Sequence, residues 1–283
     1  MPRSDVMQHM LIGKNLALMF MRQVALQEAY SHFDVTRNIA DNRAFLSNKG
    51  IMSLSPLYLY PDPKQKTLLD TRAASTAEGG RRPNLAPAFI VACAEKLGLR
   101  FVEDGRGDLV GNFGPEDVFA YMYAVFHAPT YRARYAEFLK IDFPRLPLTS
   151  DVVLFRELCA LGARLVALHL MEAVSKAAVT SFPVRGDSKI ERVEYQDGGN
   201  GEAGGRVYIN KTQYIGGVPA DVWAFHVGGY QVCHKWLKDR KGRVLSFGDV
   251  THYGRIVAAL AETIGVMERV DEVIEEHGGW PLG

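Results

Sequence analysis

The chain has 283 residues, 47% of them hydrophobic, and a formal net charge of +1 at pH 7. This length and composition are enough to bury one large core or two modest ones, which excludes a chain that is disordered throughout. The near-neutral charge excludes a uniformly basic nucleic-acid binder, so any affinity for nucleic acid must come from local clusters of cations.

The cysteines and the apolar runs indicate a cytoplasmic protein. Cys93, Cys159 and Cys233 are widely spaced within apolar helical patterns, so we predict buried thiols in a reducing compartment and no disulfide framework. No apolar run approaches the roughly 20 residues that a bilayer span needs, and the N-terminus lacks the layout of a signal peptide. We therefore expect a cytoplasmic location and no membrane partner.

The first 61 residues predict a small strand-rich unit. A helical pattern over 6–11 is followed by an apolar run over 15–23 with strand character, and the stretch SLSPLYLYP alternates leucine with tyrosine as a strand does. A polar loop between these elements carries Arg43 and Lys49, which are candidates for contacts with DNA. An ordinary connecting turn is the alternative interpretation of this loop.

A domain boundary is predicted at residues 62–83, where the composition shifts to Pro, Lys, Thr, Ala, Ser and Gly, as in a linker. This divides the chain into 1–61, a linker over 62–83 and a main domain over 84–283. Helical patterns then follow, with Asn84 as cap and Gly98 as stop of the first, Pro115 opening the second, Thr130 capping the third and Ser150 capping a long fourth.

The third of these helices supplies a second group of cations. Tyr131, Tyr135 and Phe138 repeat at helical spacing, which is more typical of a buried stripe than of a platform for stacking bases. Arg132 and Arg134 project from the same segment and are our second candidates for phosphate contacts.

After Ala177 the hydrophobic pattern becomes alternating, which predicts strands over 179–184, 190–195, 206–215 and 218–227. Their short connections predict an antiparallel β-meander. Within the third strand, Asn210, Lys211 and Gln213 are residue types that pair with the edges of bases, so we expect part of this strand to face DNA.

The next segment combines an amphipathic helix with a basic turn. Val232 and Trp236, like Cys233 and Leu237, lie four residues apart, and Gly242 suits a left-handed stop. The cations of this segment are Lys235, Lys238, Arg240, Lys241 and Arg243. They predict a patch that binds phosphates, with a solvated helix end that complements the helix dipole as the alternative.

A final helix is predicted after Ser246 and Asp249, which have capping-box spacing. The predicted fold class is therefore α+β, with a helical bundle-like half, an antiparallel β-meander and a small N-terminal strand-rich remnant.

Motifs for catalysis are missing from the sequence. The pattern GxGxxG at 199–204 falls between two predicted strands, whereas dinucleotide binding needs it between a strand and a helix. The sequence has no phosphate loop, zinc helix, nucleophile elbow or paired CxxC, and no [N/D]PP[Y/F] tetrapeptide for holding a flipped adenine. We predict a non-catalytic chain without metal or cofactor.

Three stretches resemble the C-terminal specificity domain of type ISP restriction-modification enzymes. They are NKGIMSLSPLYLYP from Asn48, GPEDVFAYMYAVFHAPTYRARYAEFLKIDFPRLPLTSD from Gly114, and GGYQVCHKWLKDRKGRVLSFGDVTHYGRI from Gly228. Together with the segment from Leu158 to Glu172, the matches span most of the chain in the order of the family, which makes the resemblance more specific than any short motif.

The resemblance implies recognition of a target sequence in double-stranded DNA. It implies that residues 1–61 are a remnant of an adjoining adenine N6-methyltransferase domain. S-adenosylmethionine and Mg-ATP would then belong to domains outside this chain, as would the methyltransferase, helicase and nuclease polypeptide that is its expected partner. The alternative is a protein-interaction module that docks a separate methyltransferase subunit.

Overall fold

The computed structural model describes residues 4–24, 30–47, 50–61, 80–174, 180–199 and 204–282. Contacts divide the chain into two compact units, Met1–Val166 with Met267–Gly283, and Ala167–Val266. Helices and several small sheets confirm the predicted α+β class. The predicted boundary at 62–83 stays a prediction, because residues 62–79 lie outside the described residues.

The first unit opens with a small antiparallel sheet. A short helix α1 (Ser4–Met7) and a 3₁₀ turn (Gln8–Met10) precede three strands, β1 (Ala17–Met21), β2 (Phe33–Thr36) and β3 (Met52–Pro56), paired in the order β2-β1-β3. The central strand β1 is almost entirely buried, which fits its uninterrupted apolar sequence. The strand-rich start of the chain is thus confirmed for its described residues.

Helices follow in the same unit, with two short strand pairs beside them. The strands are β4 (Tyr58–Leu59) paired with β5 (Arg82–Pro83), and β6 (Arg100–Phe101) paired in parallel with β7 (Asn112–Phe113). The helices are α2 (Pro87–Leu97), α3 (Pro115–His127), α4 (Pro129–Arg134), α5 (Ala136–Ile141) and α6 (Val152–His169), whose last residues belong to the second unit.

Helix α3 lies at the centre of this unit. Most of its residues are buried, and the Asp117 carboxylate accepts hydrogen bonds from the backbone N–H groups of Gly107 (2.6 Å) and Gly114 (2.8 Å). A methyl group added at Gly162 of α6 would lie 1.8 Å from the Ala120 carbonyl oxygen. Only glycine therefore permits the observed approach of α6 to α3.

The C-terminal residues of the chain complete the first unit. The Trp280 indole N–H donates to Thr130 Oγ1 at 2.7 Å, and His277 Nδ1 lies 2.6 Å from an Asp151 oxygen. This contact with His277 is the main cause that lowers the pKa of Asp151. Contacts over more than 100 residues of sequence thus join the helical segments to the C-terminal residues His277 and Trp280.

The second unit contains the predicted meander. Strands β8 (Glu194–Gln196), β9 (Gly205–Tyr208) and β10 (Tyr214–Val218) form an antiparallel sheet in the order β10-β9-β8. After it come α7 (Ala220–Ala224), the paired strands β11 (His226–Val227) and β12 (Tyr230–Gln231), α8 (Val232–Lys238) and the long α9 (Phe247–Glu276). Their apolar faces share one core that includes Val207, Ile215 and Tyr253.

All four predicted strands are wrong in part. Of residues 190–195, only Glu194 and Tyr195 lie in a strand, β8, because Ile190 pairs instead with the backbone of Gly242 and Arg243. Residues 206–215 form the ends of two strands and a turn, because the Asn210 carboxamide oxygen accepts from the N–H groups of Thr212 (3.1 Å) and Gln213 (2.7 Å). Half of residues 218–227 form the helix α7, which starts directly after Pro219, and only Val218 and the pair His226–Val227 lie in strands. Of the segment 179–184, the described residues contribute only an isolated bridge between Ser181 and Gly216.

The helix caps also differ from their predictions in places. Helix α2 begins after Ala86, while the Asn84 side chain donates to the Pro56 carbonyl at 2.9 Å. Asp151, and not Ser150, caps α6 by accepting from the N–H groups of Val153 and Leu154. Helix α4 begins at Pro129, and Thr130 binds Asp271 instead of capping it.

Other local predictions are confirmed. Gly98 ends α2 with a φ of +63°, and the backbone N–H and Oγ of Ser246 pair reciprocally with Asp249 at the start of α9. All three cysteines are buried free thiols. Across the described parts of the chain, we find no helix with the length and apolar character needed to cross a bilayer.

Candidate nucleic-acid interface

Helix α8 is fixed to the core of the second unit by its apolar face. Cys233 and Leu237 are fully buried, and the Trp236 ring packs 5.4 Å from the ring of Tyr253 on α9. The predicted amphipathic pattern is therefore confirmed. The cations on its polar face continue into the turn that follows the helix. We call residues 235–243, the end of α8 together with this turn, the basic turn.

Two cations of the basic turn are held by neighbouring side chains. Lys235 forms an ion pair with Asp239, and its ammonium lies 4.9 Å from the centre of the Tyr230 ring. The Arg240 guanidinium stacks 3.7 Å from the centre of the Trp236 ring and donates to the Trp236 carbonyl at 3.0 Å. These contacts fix the positions of both side chains, and the stacked Arg240 keeps donors for a further ligand.

The other three cations are exposed. Lys238, Lys241 and Arg243 form no ion pair with any described residue. Gly242 between them has a φ of +85° and open space where a side chain would be, which confirms its predicted left-handed conformation. The basic turn thus presents three free positive charges on a defined backbone, as a phosphate-binding surface requires.

Residues 184–192, which we call the connecting segment, join the basic turn to the turn at 209–213. On one edge, the Ile190 N–H donates to the Arg243 carbonyl at 2.9 Å and the Gly242 N–H donates to the Ile190 carbonyl at 2.7 Å. On the other edge, the Glu191 N–H donates to the Ile209 carbonyl at 2.8 Å. Two groups of predicted site residues, some 25 positions apart in the sequence, therefore flank one strand-like segment.

Asn210 and Gln213 hold the 209–213 turn against the connecting segment. The Gln213 amide oxygen accepts from the Ser188 N–H (2.8 Å) and from the Asn210 amide (2.9 Å), while its amide nitrogen donates to the Val184 carbonyl (3.1 Å). Gln213 is 1% exposed and Asn210 is 6% exposed. The expected exposed strand face is therefore wrong for these two residues, because the turn folds their amides inward. A direct contact of either amide with DNA stays a prediction.

Lys211 and Thr212, at the tip of the same turn, are exposed. The connecting segment adds the exposed cations Arg185, Lys189 and Arg192, of which Arg192 pairs with Glu194, and none of the three was predicted as a site residue. The alternation of positive and negative residues along 185–192 is the sequence pattern that could have indicated an exposed, charged segment here. The surface is mixed and not uniformly basic, since Asp187 and Glu191 are exposed on the same segment.

The candidate DNA-binding cations of the first unit differ in their exposure to solvent. Arg132 is half-buried, donates to the Phe126 carbonyl at 2.7 Å and lies 5.9 Å from the centre of the Phe33 ring. Burial lowers the pKa of its guanidinium to about 10. Its charge is thus engaged inside the protein, whereas Arg134 and Arg43 are exposed and Lys49 lies outside the described residues.

The aromatic stripe on α4 and α5 is mainly structural. Tyr131 is 2% exposed, and its hydroxyl donates to the Arg145 carbonyl at 2.7 Å. The Tyr135 ring packs 5.0 Å from that of Tyr131, whereas Phe138 is 66% exposed. The interpretation of the stripe as core is thus confirmed for Tyr131 and wrong for Phe138.

Chemistry other than binding has little support in the described residues. Within them, no group of three or more His, Cys, Asp or Glu side chains could hold a metal ion. Residues 200–203 of the glycine-rich 199–204 pattern lie outside them. Burial raises the pKa of the Cys93 thiol to about 11 and that of Cys233 to about 12, so both stay protonated and unreactive at neutral pH.

Solved structures of known proteins share the fold of this chain. Among the solved structures that the chain resembles are three at low sequence identity. One is described as ATP-dependent type ISP restriction-modification enzyme LlaBIII bound to DNA, with a TM-score of 0.60, 16% identity, and coverage of 96% of this chain and 16% of that one. Another is a nuclease-deletion mutant of the type ISP enzyme LlaGI in complex with a DNA substrate mimic. Its TM-score is 0.52 at 18% identity, and the match covers 94% of this chain and 21% of that one. A DrdV-DNA complex has a TM-score of 0.60, 20% identity, and coverage of 94% and 25%.

The chain thus spans a quarter or less of the length of these solved neighbours. Comparison with curated proteins gives no significant match. The family model described as the type ISP C-terminal specificity domain matches residues 1–269. Since this match covers nearly the whole sequence, the chain belongs to the family of type ISP C-terminal specificity domains.

Proposed function

We propose that this chain recognises a specific sequence in double-stranded DNA, as the specificity part of a longer restriction-modification enzyme. The observation that carries the proposal is the family match over residues 1–269. Three free cations on the basic turn support it, because neutralised phosphates supply most of the affinity of a protein for any duplex.

Affinity and specificity would come from different side chains. Lys238, Lys241 and Arg243 would contact phosphates, which fixes the register of the protein on the duplex without reading its sequence. Donors and acceptors at the tip of the 209–213 turn and on the connecting segment would contact base edges. Arg43, Lys49 and Arg134 remain candidates for further phosphate contacts from the first unit.

The proposal assigns no bond-breaking step to this chain. Methylation and cleavage, with S-adenosylmethionine and Mg-ATP as their cofactors, would belong to other segments of the enzyme, in the cytoplasm.

A titration with a random-sequence duplex at low salt tests the proposal. We expect a dissociation constant in the micromolar range or tighter, followed by enrichment of one motif when the protein selects from a random duplex library. Duplex binding without any enriched motif would contradict sequence-specific recognition. A protein that binds no duplex would contradict DNA binding altogether.

A second candidate function is the docking of another polypeptide. An open, mostly apolar groove in the first unit favours it, with Leu18, Phe20, Phe89, Met122 and Phe143 among its lining residues. If the chain bound no duplex in the titration above, this docking function would become the better explanation.

A further inference from the structure

An open polar hollow of about 370 Å³ lies between the connecting segment and the 209–213 turn. Its exposed lining residues are Asp187, Glu191, Lys211 and Thr212, and the buried amides of Asn210 and Gln213 also line it. The hollow therefore offers carboxylates, a hydroxyl and an ammonium side by side, which is a mixture of acceptors and donors.

The two carboxylates argue against a phosphate at this position. A carboxylate and a phosphate about 4 Å apart repel each other by roughly 1 kcal/mol even in bulk water, and by more beside a protein surface. Base edges in the major groove, unlike phosphates, carry hydrogen-bond donors. The amino groups at cytosine N4 and adenine N6 can donate to a carboxylate. The ammonium of Lys211 complements O6 and N7 of guanine in the same way.

Both carboxylates are available as acceptors. One Asp187 oxygen accepts from the Lys189 N–H at 3.0 Å, which orients the side chain and leaves its other oxygen for a ligand. The Glu191 backbone is fixed by its bond to Ile209, while its side chain forms no ion pair with a described residue.

The turn below these side chains is rigid. The amides of Asn210 and Gln213 use their donors and acceptors within the protein, which holds the backbone of the tip residues Lys211 and Thr212 in place. A methyl group at Gly186 would lie 2.6 Å from Gln213 side-chain atoms, so this packing requires glycine. A turn whose backbone is already held loses little backbone entropy on binding.

The position of the hollow relative to the basic turn fits a duplex. Ile190 pairs with the basic turn, while the carbonyl of Lys189 and the N–H of Glu191 pair with the 209–213 turn on the opposite edge. Two neighbouring strand spacings separate these edges by roughly 10 Å. This is similar to the distance from a base edge on the floor of the major groove to the flanking phosphates, since that groove is about 12 Å wide and about 8.5 Å deep.

We propose that this hollow reads base edges in the major groove, with Asp187 and Glu191 accepting from cytosine or adenine amino groups and Lys211 donating to guanine. The basic turn contacts the adjacent phosphates. This assignment rests on the proposed function and names the residues that determine its specificity.

The test is selection of binding sites from a random duplex library by the full chain and its variants. Asp187→Asn and Glu191→Gln keep the shape of each side chain but replace an acceptor by an amide, which favours adenine. We expect each variant to lose at least ten-fold of its discrimination between bases at one or two positions of the motif. Its affinity for random-sequence duplex should be unchanged or higher. The matched control Lys241→Ala should retain the motif and weaken binding to all duplexes alike.

Three outcomes separate the two proposals. A changed motif in Asp187→Asn, Glu191→Gln or Lys211→Ala supports the assignment. An unchanged motif in all three, with wild-type circular dichroism, overturns the assignment and leaves sequence-specific recognition intact. A wild-type chain that enriches no motif overturns both.

Discussion

Replacing Lys238, Lys241 and Arg243 by alanine tests whether the basic turn contacts the DNA backbone. All three side chains are exposed and have no ion pair with any described residue, so their removal should leave folding almost unchanged, within about 0.5 kcal/mol. Each phosphate contact contributes roughly 0.9 to the slope of log affinity against log salt concentration. The triple variant should therefore flatten this slope by about 2 to 3.

A salt titration by fluorescence anisotropy measures this slope. Over a four-fold rise in salt, the wild type should lose about 40-fold more affinity than the triple variant, which is the factor that three contacts produce. The matched control exchanges the same residues for the other long cation, as Lys238→Arg, Lys241→Arg and Arg243→Lys. This control keeps the charge and should keep most of the slope.

Equal slopes in the wild type and the alanine variant would show that the basic turn lies away from the duplex. The solvated helix end considered in the sequence analysis would then be the better interpretation of these cations. A flattened slope in both variants would instead indicate that side-chain geometry, and not charge, determines the contact.

Further predictions concern folding. Gly162→Ala should destabilise the protein by about 3 kcal/mol or prevent folding, because the new methyl group would overlap the Ala120 carbonyl. Gly265→Ala is the matched control, since an added methyl group there meets no atom within 4 Å, and it should stabilise the protein by up to about 1 kcal/mol. Urea denaturation measures both changes. Gln213→Ala should cost about 3 kcal/mol, since it leaves buried donors without partners; an equal loss in Lys211→Ala would contradict this reasoning. Burial raises the pKa of Asp34 to about 6, so the folded state binds this proton more tightly than the unfolded chain does. The free energy of unfolding should therefore fall as pH rises from about 4 to about 6, and Asp34→Asn should remove up to about 3 kcal/mol of that fall; parallel pH profiles would refute it.

The positions of cations along the sequence predicted only part of the candidate site. The basic turn follows from residues 235–243 alone, because helical spacing and a left-handed glycine are local properties. Arg132 has the same residue type as Arg134 and lies two positions away, yet its guanidinium binds the Phe126 carbonyl inside the protein. No local pattern distinguishes the two, since the difference lies in the packing of α4 against the rest of its unit.

Local sequence therefore determined the α+β class, the meander, the apolar face of α8, the caps at Gly98 and Ser246, and the cationic cluster, since each depends on side chains a few positions apart or on the φ preference of one residue. Tertiary structure alone decided that Asn210 and Gln213 turn inward and that the connecting segment lies between their turn and the basic turn. The physical reason is that buried amides must find partners, and theirs are backbone groups of residues 184–189, more than 20 positions away.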